Sequence, residues 1–382
     1  MKTKDELHTE ALEEISHMKA CSVDISMGTG KTRLGLKRIA MLPDDAKIFV
    51  VVPTRPVEKS WRKEAQDNGY DYLLDDIAFD LYRNLGQYDP SKYALVIFDE
   101  IHKVRDNHVS FLEGCAAILG LTGTRPSDRS EPGRLISRYA PFVFEYPLDD
   151  AIADGMVNDY QITVHLIPLS DEKTIERTVE KTGAIFHVSE KNDYMYRTGI
   201  IGGLEKEKDD LWRSRPPGYA RRSEQINKAL RGKRIGRLTA IKGYESKVKF
   251  VEKLLATVGD RTVIFANTKA QADKLCPHSH HSTNKHSDGN TALFNTGGIN
   301  RLSCVEQLGI GVNLVDARNG IIMHTYSDQS DKGRQRFGRL LRLNPADKCH
   351  LHVVCYKGTV DQGWVQSTLS DLDQSKITWI DH

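Results

Sequence analysis

The sequence has no long hydrophobic run, and this absence argues against a membrane protein. None of its apolar stretches approaches the about 18 residues that a membrane-spanning helix needs, and the mean hydropathy is −0.48. Residues 1–14 are charged and amphipathic, and they lack the apolar core of a signal peptide. We therefore expect a cytoplasmic protein with no membrane partner.

Paired cysteines are also missing. The six cysteines are widely scattered and include no C-x-x-C pair, which disfavours both a disulfide framework and a zinc ribbon, so we expect reduced thiols. One segment holds five potential metal ligands, namely Cys276, His278, His280, His281 and His286. It has no paired ligand knuckle, and its serines and asparagines favour an ordinary loop over a structural zinc site.

The length and the apolar pattern predict an α/β protein with more than one domain. A chain of 382 residues corresponds to two domains and some additional structure, at about 150 residues per domain. Short apolar runs alternate with helical patterns, which is typical of βαβ units and a mainly parallel sheet. Strands are predicted at residues 48–52, 94–98, 116–121, 262–266, 320–324 and 350–355. We divide the chain into domains at residues 1–160 and 246–382, with a linker or insertion at 161–245.

The insertion is polar and basic. From residue 171 to residue 240 no clean strand pattern occurs, so we expect a partly helical segment. Residues 211–240 contain nine basic side chains and one acidic side chain, although the whole chain has a net charge of only +2. Such a block suits a polyanion, and Trp212 and Tyr219 could stack on bases. A nucleic-acid-binding arm and a flexible solvated linker are both consistent with this composition.

A phosphate-binding loop is predicted at residues 26–32, which read S-M-G-T-G-K-T. Glycines at two positions let backbone N–H groups turn inward around phosphates at a helix N-terminus. The lysine can reach the β and γ phosphates, and the last threonine can ligate Mg²⁺. The first glycine of the full pattern is replaced by Ile25. The predicted nucleotide contacts are Gly28, Thr29, Gly30, Lys31 and Thr32.

Two carboxylates follow the apolar strand at residues 94–98. Parallel α/β folds bind ligands at the carboxyl ends of their strands, and this strand delivers Asp99 and Glu100 there. We predict that Asp99 holds Mg²⁺ with Thr32, and that Glu100 orients and deprotonates the attacking water. The alternative is a pair of acids that cap the next helix.

Residues 99–102, D-E-I-H, resemble the DEAH-type box of superfamily 2 helicases and translocases. His102 is the last residue of that box, and the resemblance makes it a further nucleotide-binding residue. The resemblance extends over nearly the whole chain. Residues 51–54 with Trp61 resemble motif Ia in the form typical of Snf2, XPB and restriction-enzyme motors. The other similar segments are residues 121–124 (motif III), 150–157 (the exit from the first motor domain), 263–267 (motif IV), 307–313 (motif V) and 335–342 (motif VI).

This resemblance implies two tandem RecA-like domains that use ATP and Mg²⁺. In motif VI, Arg339 and Arg342 are three residues apart and share a helix face, and the resemblance makes them arginine fingers, with Gln335 as a γ-phosphate contact. A solvated basic helix face is the alternative for an isolated R-x-x-R. His8 stands where a base-reading glutamine is common in the family, and Asn313 where motif V commonly has aspartate.

The nucleic-acid contacts that the resemblance implies involve the sugar–phosphate backbone and do not read sequence. They fall at strand ends and loops of the expected face. For Arg55 and Lys269 the alternative is ordinary surface charge. The predicted contacts are Thr54, Arg55, Thr268, Lys269 and Asn313.

The sequence therefore predicts an ATP- and Mg²⁺-dependent DNA helicase or translocase. In its short length the chain resembles compact phage-type recombination helicases, which act in the host cytoplasm. We therefore expect annealing or branch remodelling alongside unwinding. Replication or recombination proteins are candidate partners. Two alternatives stay open, an RNA remodeller and an ATP-switch subunit whose partner holds the activity.

Overall fold

Parallel strands form two separate sheets, one before residue 147 and one after residue 159. The computed structural model describes residues 1–178, 182–305, 314–323, 348–370 and 372–382.

The first domain holds six of the described strands, in the order β3-β2-β4-β5-β1-β6, and all the neighbouring pairs are parallel. Its elements in chain order are α1 (Lys4–Ile15), β1 (Ala20–Ile25), α2 (Lys31–Ile39), β2 (Ile48–Val52), α3 (Arg55–Asp67), β3 (Ile77–Leu81), β4 (Leu95–Asp99), α4 (Val109–Gly114), β5 (Ile118–Thr122), α5 (Glu131–Tyr139), β6 (Phe142–Tyr146) and α6 (Leu148–Ala153).

The central strands of this sheet are covered on both faces. Every residue of β2, β4 and β5 is buried, which matches their nearly continuous apolar sequences. On one face, the fully buried Trp61 of α3 packs against Gly35 of α2, where an added Cβ would lie 2.5 Å from the indole. The carboxyl ends of β4, β5 and β1 therefore come together at one edge of a rigid layer.

The second domain has its own parallel sheet, in the order β11-β12-β10-β13-β14-β7-β15. The insertion lies between β7 and α9. The elements in chain order are β7 (Tyr160–Ile167), β8 (Ile175–Thr178), β9 (Ile185–Val188), α7 (Glu190–Ser214), α8 (Tyr219–Gly243), α9 (Glu245–Leu254), β10 (Thr262–Ala266), α10 (Lys269–Leu275), β11 (Ser279–His280), α11 (Ser287–Asn295), β12 (Arg301–Val305), β13 (Asn319–Ile322), β14 (Cys349–Tyr356), α12 (Val360–Leu369) and β15 (Ile377–Asp381).

Strand β7 belongs to the second sheet, whereas the domain boundaries predicted from the sequence placed residues 161–245 in the insertion. It pairs in parallel with β14 on one side and β15 on the other, so it is an interior strand of the second sheet. Its apolar side chains at Ile162 and Val164 are fully buried in that domain's core. The reason is long-range pairing, because the strand's partners lie far downstream in the chain.

The described residues of the insertion that remains form regular secondary structure. Strands β8 and β9 form a small antiparallel pair, and α7 and α8 are helices of 25 residues each that pack against one another. We call these two helices and the turn between them, residues 190–243, the helical arm. The sequence left this segment as a nucleic-acid-binding arm or a flexible linker, and the structure gives it two long helices.

The histidine-rich segment forms ordinary structural contacts. The Nδ1 atom of His280 lies 2.9 Å from the Thr291 hydroxyl, and Nε2 of His281 lies 2.8 Å from a carboxylate oxygen of Asp273. In the described ranges no group of three or more side chains is arranged to hold a metal ion, and the six cysteines are free thiols. No helix of the described chain is both long and apolar enough to cross a bilayer.

Candidate nucleotide site

The predicted phosphate loop connects β1 to the N-terminus of α2. Gly28 and Gly30 both have a φ of 92°, in the region that favours glycine, so the loop can curl around an anion. The Thr29 hydroxyl donates to the Ser26 carbonyl at 2.7 Å and fixes the turn. Helix α2 begins at Lys31 and has no side-chain cap, so its first N–H groups have no partner within the helix and are donors of the kind that bind phosphate at helix starts.

The Lys31 ammonium lies at the carboxyl end of β1, the strand that precedes the predicted phosphate loop. It donates to the Ile25 carbonyl at 3.4 Å, and the side chain is buried. Gly123, just after β5, leaves the room for it, because an added Cβ there would lie 2.7 Å from Nζ and 2.9 Å from the Ile25 carbonyl oxygen. The predicted phosphate loop and the Thr-Gly-Thr segment are thus in direct contact.

Asp99 and Glu100 lie at the end of β4, on the far side of β5 from β1. The Trp61 indole N–H donates to Asp99 Oδ2 at 2.8 Å and orients that carboxylate. The backbone turns sharply at Glu100, whose φ of 59° is left-handed and unusual for a residue with a side chain. The turn ends the strand direction at the residue that carries the second carboxylate.

The Tyr82 hydroxyl supports this turn, because it lies 2.9 Å from the Asp99 carbonyl oxygen and 3.0 Å from that of Glu100. Burial raises the pKa of Tyr82 well above its usual value, and the nearby carboxylates of Asp99 and Glu100 add to this shift. The hydroxyl therefore remains protonated and can donate to these carbonyl groups.

His102 connects the acidic pair to the end of β5. Its Nδ1 atom lies 2.8 Å from the Thr122 hydroxyl, 3.3 Å from the Thr124 hydroxyl and 3.4 Å from a carboxylate oxygen of Glu100. The side chain is fully buried, so these polar contacts form in a low-dielectric setting. A displacement of Thr122 or Thr124 would therefore change the contact between His102 and the Glu100 carboxylate.

His8 of α1 contacts the phosphate loop. Its Nε2 atom lies 2.9 Å from the Thr29 carbonyl oxygen, and its ring stands 3.0 Å from where a Cβ at Gly30 would be. Burial lowers the pKa of His8, which favours a neutral imidazole that donates to this carbonyl. His8 therefore supports the conformation of the predicted phosphate loop.

A cavity of about 590 Å³ lies between the domains, beside the phosphate loop. The ends of β1, β5 and β6 line it from the first domain, and Thr368 and Leu372 line it from the second. Asp24 is its most perturbed acid, because burial raises the pKa of this carboxyl to about 6 even though Lys31 opposes the shift.

The predicted nucleic-acid contacts of motif Ia have different surroundings. Thr54 precedes α3, and its hydroxyl is buried with no hydrogen-bond partner in the described ranges. Arg55 is half exposed and forms ion pairs at 2.7 Å with Glu58 and with Asp80. Arg55 is therefore already neutralised by two carboxylates, whereas Thr54 has an unused polar group.

The corresponding residues of motif IV begin α10. Thr268 caps that helix by accepting a hydrogen bond from the Gln271 N–H at 3.2 Å, and Lys269 is exposed. Asn313, Gln335, Arg339 and Arg342 lie outside the described residues.

Sequence reasoning did not identify Asp24 and Tyr82 as supporting residues of the site. It placed Gly123 in motif III and Trp61 in motif Ia, but it did not reveal their contacts with Lys31 and Asp99. Trp61 had a signal, since its spacing from residues 51–54 matched motif Ia, but a spacing does not reveal a bond to Asp99. The others become meaningful only once β1, β5 and β4 are neighbours in the sheet.

The residues present fit a nucleoside triphosphate and a magnesium ion. The two left-handed glycines and the buried Lys31 supply donors and positive charge for phosphates. The Asp99 carboxylate and the Thr32 hydroxyl are oxygen ligands of the kind that Mg²⁺ takes, usually together with phosphate oxygens and water.

Solved structures share this architecture across the whole chain. The chain has the tandem RecA-like fold. The ATP-dependent type ISP restriction-modification enzyme LlaBIII, bound to DNA, matches 100% of this chain with a TM-score of 0.60 and 12% identity. The helicase domain of Pyrococcus furiosus Hef matches 96% with a TM-score of 0.52 and 10% identity. The Mycobacterium smegmatis helicase Lhr, bound to single-stranded DNA and AMP-PNP, matches 98% with a TM-score of 0.53 and 14% identity.

The chain spans 31% of the length of LlaBIII, 97% of the Hef domain and 48% of Lhr. The sequence matches no protein-family profile and no curated protein sequence. At these identities the comparisons establish the fold, and they confirm the predicted fold class of two parallel-sheet RecA-like domains with an insertion.

Proposed function

We propose that this chain is a nucleic-acid-dependent ATP hydrolase, a superfamily 2 helicase or translocase that acts on DNA. One observation carries the proposal: the Lys31 ammonium, the Asp99 and Glu100 carboxylates and the His102–Thr122 contact lie at adjacent strand ends of a RecA-like sheet. This edge borders the cavity between the two domains.

Each residue has a role in hydrolysis. The phosphate loop binds the triphosphate through backbone N–H groups, and Lys31 places its charge against the β and γ phosphates. Asp99 and Thr32 would hold Mg²⁺, which neutralises phosphate charge when bound. Glu100 accepts a proton from the attacking water, and its left-handed backbone sets the direction of its carboxylate.

The second domain completes the site in this proposal. Arg339 and Arg342, with Gln335, stabilise the charge that develops on the γ-phosphate when the domains close. His102, Thr122 and Thr124 relay the position of the strand end to Glu100, so that hydrolysis responds to movement between the domains.

DNA binds across both domains through backbone contacts. Thr54, Thr268 and Lys269 are the proposed contacts in the described ranges, with Asn313 in motif V. Arg55 orders the start of α3 through its two ion pairs, and it reaches a phosphate only if these rearrange. The Trp61 form of motif Ia supports DNA over RNA, as does the DNA bound to LlaBIII and Lhr.

The test is the rate of ATP hydrolysis without polymer and with single-stranded DNA, duplex DNA, branched DNA or RNA, at one salt concentration. Lys31→Ala is the blank, and we expect it to remove hydrolysis while the melting temperature and DNA binding stay near those of the unmodified protein. Stimulation by RNA alone would overturn the DNA assignment. Absence of hydrolysis under every condition would instead favour an ATP-switch subunit.

A further inference from the structure

Few residues of the helical arm are needed for packing between its two helices, and most of its surface is polar. Each helix is 25 residues long, or about 37 Å at 1.5 Å per residue. The contact between them buries only Ile201, Ile226 and Leu230 among its apolar residues in the described chain. Away from the root, where Glu190, Asp193, Tyr194 and Ile241 are also buried, most side chains of the arm are exposed or only partly buried. A hydrophobic core therefore does not explain the sequence of this outer part.

Charge is unequally divided between the two helices. Helix α7 supplies the acids that pair with α8, through Glu207–Arg222 at 2.5 Å and Glu205–Arg234 at 2.6 Å. Glu224 is the one acid in α8. After these pairs, α8 still has exposed bases without an ion-pair partner in the described ranges, namely Arg221, Lys228, Arg231 and Lys233.

Three of these bases form a row on the outer face of α8. Arg221, Lys228 and Arg231 are seven and ten residues apart in sequence, and this spacing places them on one side of a helix. Ile226 and Leu230, which face α7, lie on the opposite side. The row extends about 15 Å along the axis, so its charges can meet successive phosphates of a nucleic-acid strand.

An exposed tryptophan lies at the tip of the arm. The Trp212 side chain is 58% exposed, and the Arg215 guanidinium stands 5.6 Å from its ring centroid. The turn that follows contains Pro216 and Pro217, which stiffen the backbone. A large flat indole held beside a cation at a projecting tip suits stacking on an unpaired base.

The root of the arm is fixed to the second domain by buried polar groups. Glu190 accepts hydrogen bonds from the Ser246 N–H at 3.0 Å and from the Ser246 hydroxyl at 2.5 Å, and that hydroxyl lies 3.0 Å from the Tyr356 hydroxyl of β14. Asp193 accepts from Tyr244 at 2.9 Å and from Arg197 at 2.9 Å. The arm therefore belongs mechanically to the second domain.

We propose that the helical arm is a contact for branched DNA, in which Arg221, Lys228 and Arg231 bind duplex phosphates and Trp212 stacks on an unpaired base at the junction. This rests on the proposed function, because it takes DNA as the polymer. The arm moves with the second domain, so each closure of the domains shifts the junction relative to the first domain.

The test measures binding of the full chain to blunt duplex DNA and to the same duplex with a single-stranded fork, over a range of salt concentrations. The triple variant R221A/K228A/R231A should reduce the slope of log affinity against log salt by about 2 to 3 on both DNAs, at about 0.9 per phosphate contact. The matched control K191A/K206A/K208A removes three charges from α7 and should leave the slope unchanged.

Trp212→Ala should weaken fork binding by about 5- to 150-fold, from a stacking energy of about 1–3 kcal/mol per base, and leave blunt duplex binding unchanged. Tyr196→Ala is the control, because Tyr196 is a 69% exposed aromatic near the root of α7. Melting temperatures check that each variant folds.

Equal slopes for both triple variants, or equal effects of Trp212→Ala and Tyr196→Ala on fork binding, would overturn the arm assignment. Failure of the proposed function can be distinguished from failure of the arm assignment. If the unmodified protein hydrolyses no ATP but the arm variants still change DNA binding, the arm assignment stands alone. If DNA-stimulated hydrolysis is present and DNA binding is insensitive to the arm variants, only the arm assignment fails.

Discussion

At the scale of single residues, Trp61 illustrates how a buried side chain far from solvent can serve a reactive centre. Its ring fills the space above Gly35 of α2, and its N–H holds the Asp99 carboxylate. One residue thus sets both the position of the helix that follows the phosphate loop and the direction of the proposed magnesium ligand.

Trp61→Phe keeps an aromatic ring but removes the donor to Asp99. We expect a loss of about 1.5–3 kcal/mol in stability, typical of a hydrogen bond to a charged group. We also expect Mg²⁺ affinity to fall by about 10- to 100-fold, as for other groups that orient a metal ligand. Thermal unfolding and a Mn²⁺ binding titration measure these effects.

Trp364→Phe, in α12 of the second domain, is the control for loss of an indole. If metal affinity in Trp61→Phe equals that of this control, Trp61 has only a packing role.

Asp24 gives a pH-dependent prediction. Burial raises its pKa from 3.8 to about 6, so folding favours the protonated carboxyl. The stabilisation is complete below pH 4 and is lost as pH rises through 6, which amounts to about 3 kcal/mol at 1.36 kcal/mol per pKa unit. Asp24→Asn removes the titration, so its stability relative to the unmodified protein should increase between pH 4 and pH 7.

Urea unfolding at pH 4.5 and pH 7.5 measures this difference. Asp128→Asn is a suitable control, since Asp128 lines the same cavity with a 71% exposed side chain. An equal stability difference at the two pH values would contradict a buried titrating carboxyl at residue 24.

At the scale of elements, the start of α7 is a buried anchor for the helical arm. Asp193 is 2% exposed and has contacts with Arg177, Arg197 and Tyr244. Burial alone would raise the pKa of Asp193, but the hydrogen bonds from Arg197, Arg177 and Tyr244 outweigh it and the pKa is lowered. The anchor is therefore charged at neutral pH.

Asp193→Ala should cost about 3–5 kcal/mol, because it leaves the arginines without their carboxylate in a partly buried setting. Amide hydrogen exchange should accelerate in α7 and α9 and stay unchanged in the first domain. Asp209→Ala, an exposed position of the same helix, is the control. Equal exchange in the two variants would show that the anchor does not depend on Asp193.

Elements also show what could be predicted from the sequence. Strands β2 and β10 were predicted with the bounds that the structure gives, because a fully buried parallel strand leaves a continuous apolar run. Strand β7 was missed as part of the second sheet, since its pairing with β14 depends on residues that local patterns do not connect. The insertion's helices were predicted only in part, because their polar sequences carry little apolar periodicity.

At the scale of the whole molecule, the proposed site depends on both domains. The first domain holds the phosphate loop and the carboxylates, and the second borders them across the cavity with Thr368 and Leu372. The predicted residues of the first domain could be read from the sequence because each motif is contiguous. The contacts between these residues, such as the close approach of Lys31 to Gly123, follow from the order of the strands in the sheet. No single motif specifies that order.

Arg339→Ala tests whether the second domain supplies an arginine finger. We expect hydrolysis to fall by about 10³-fold or more while ATP binding changes little, because the charge is needed mainly in the transition state. Single-turnover hydrolysis and binding of a fluorescent ATP analogue separate the two effects. Arg318→Ala, elsewhere in the second domain, is the control, and a similar small effect in both variants would remove Arg339 from the proposed mechanism.

The interior position of β7 has a consequence for synthesis on the ribosome. Thr163 of β7 and His350 of β14 are in contact although they are 187 residues apart in the chain. At about 5–20 residues per second, that interval takes roughly 10–40 s to translate. During this time the first domain can complete its sheet, whereas β7 leaves the exit tunnel with both edges unpaired. We therefore expect the nascent second domain to depend more on protection by chaperones than the first domain does.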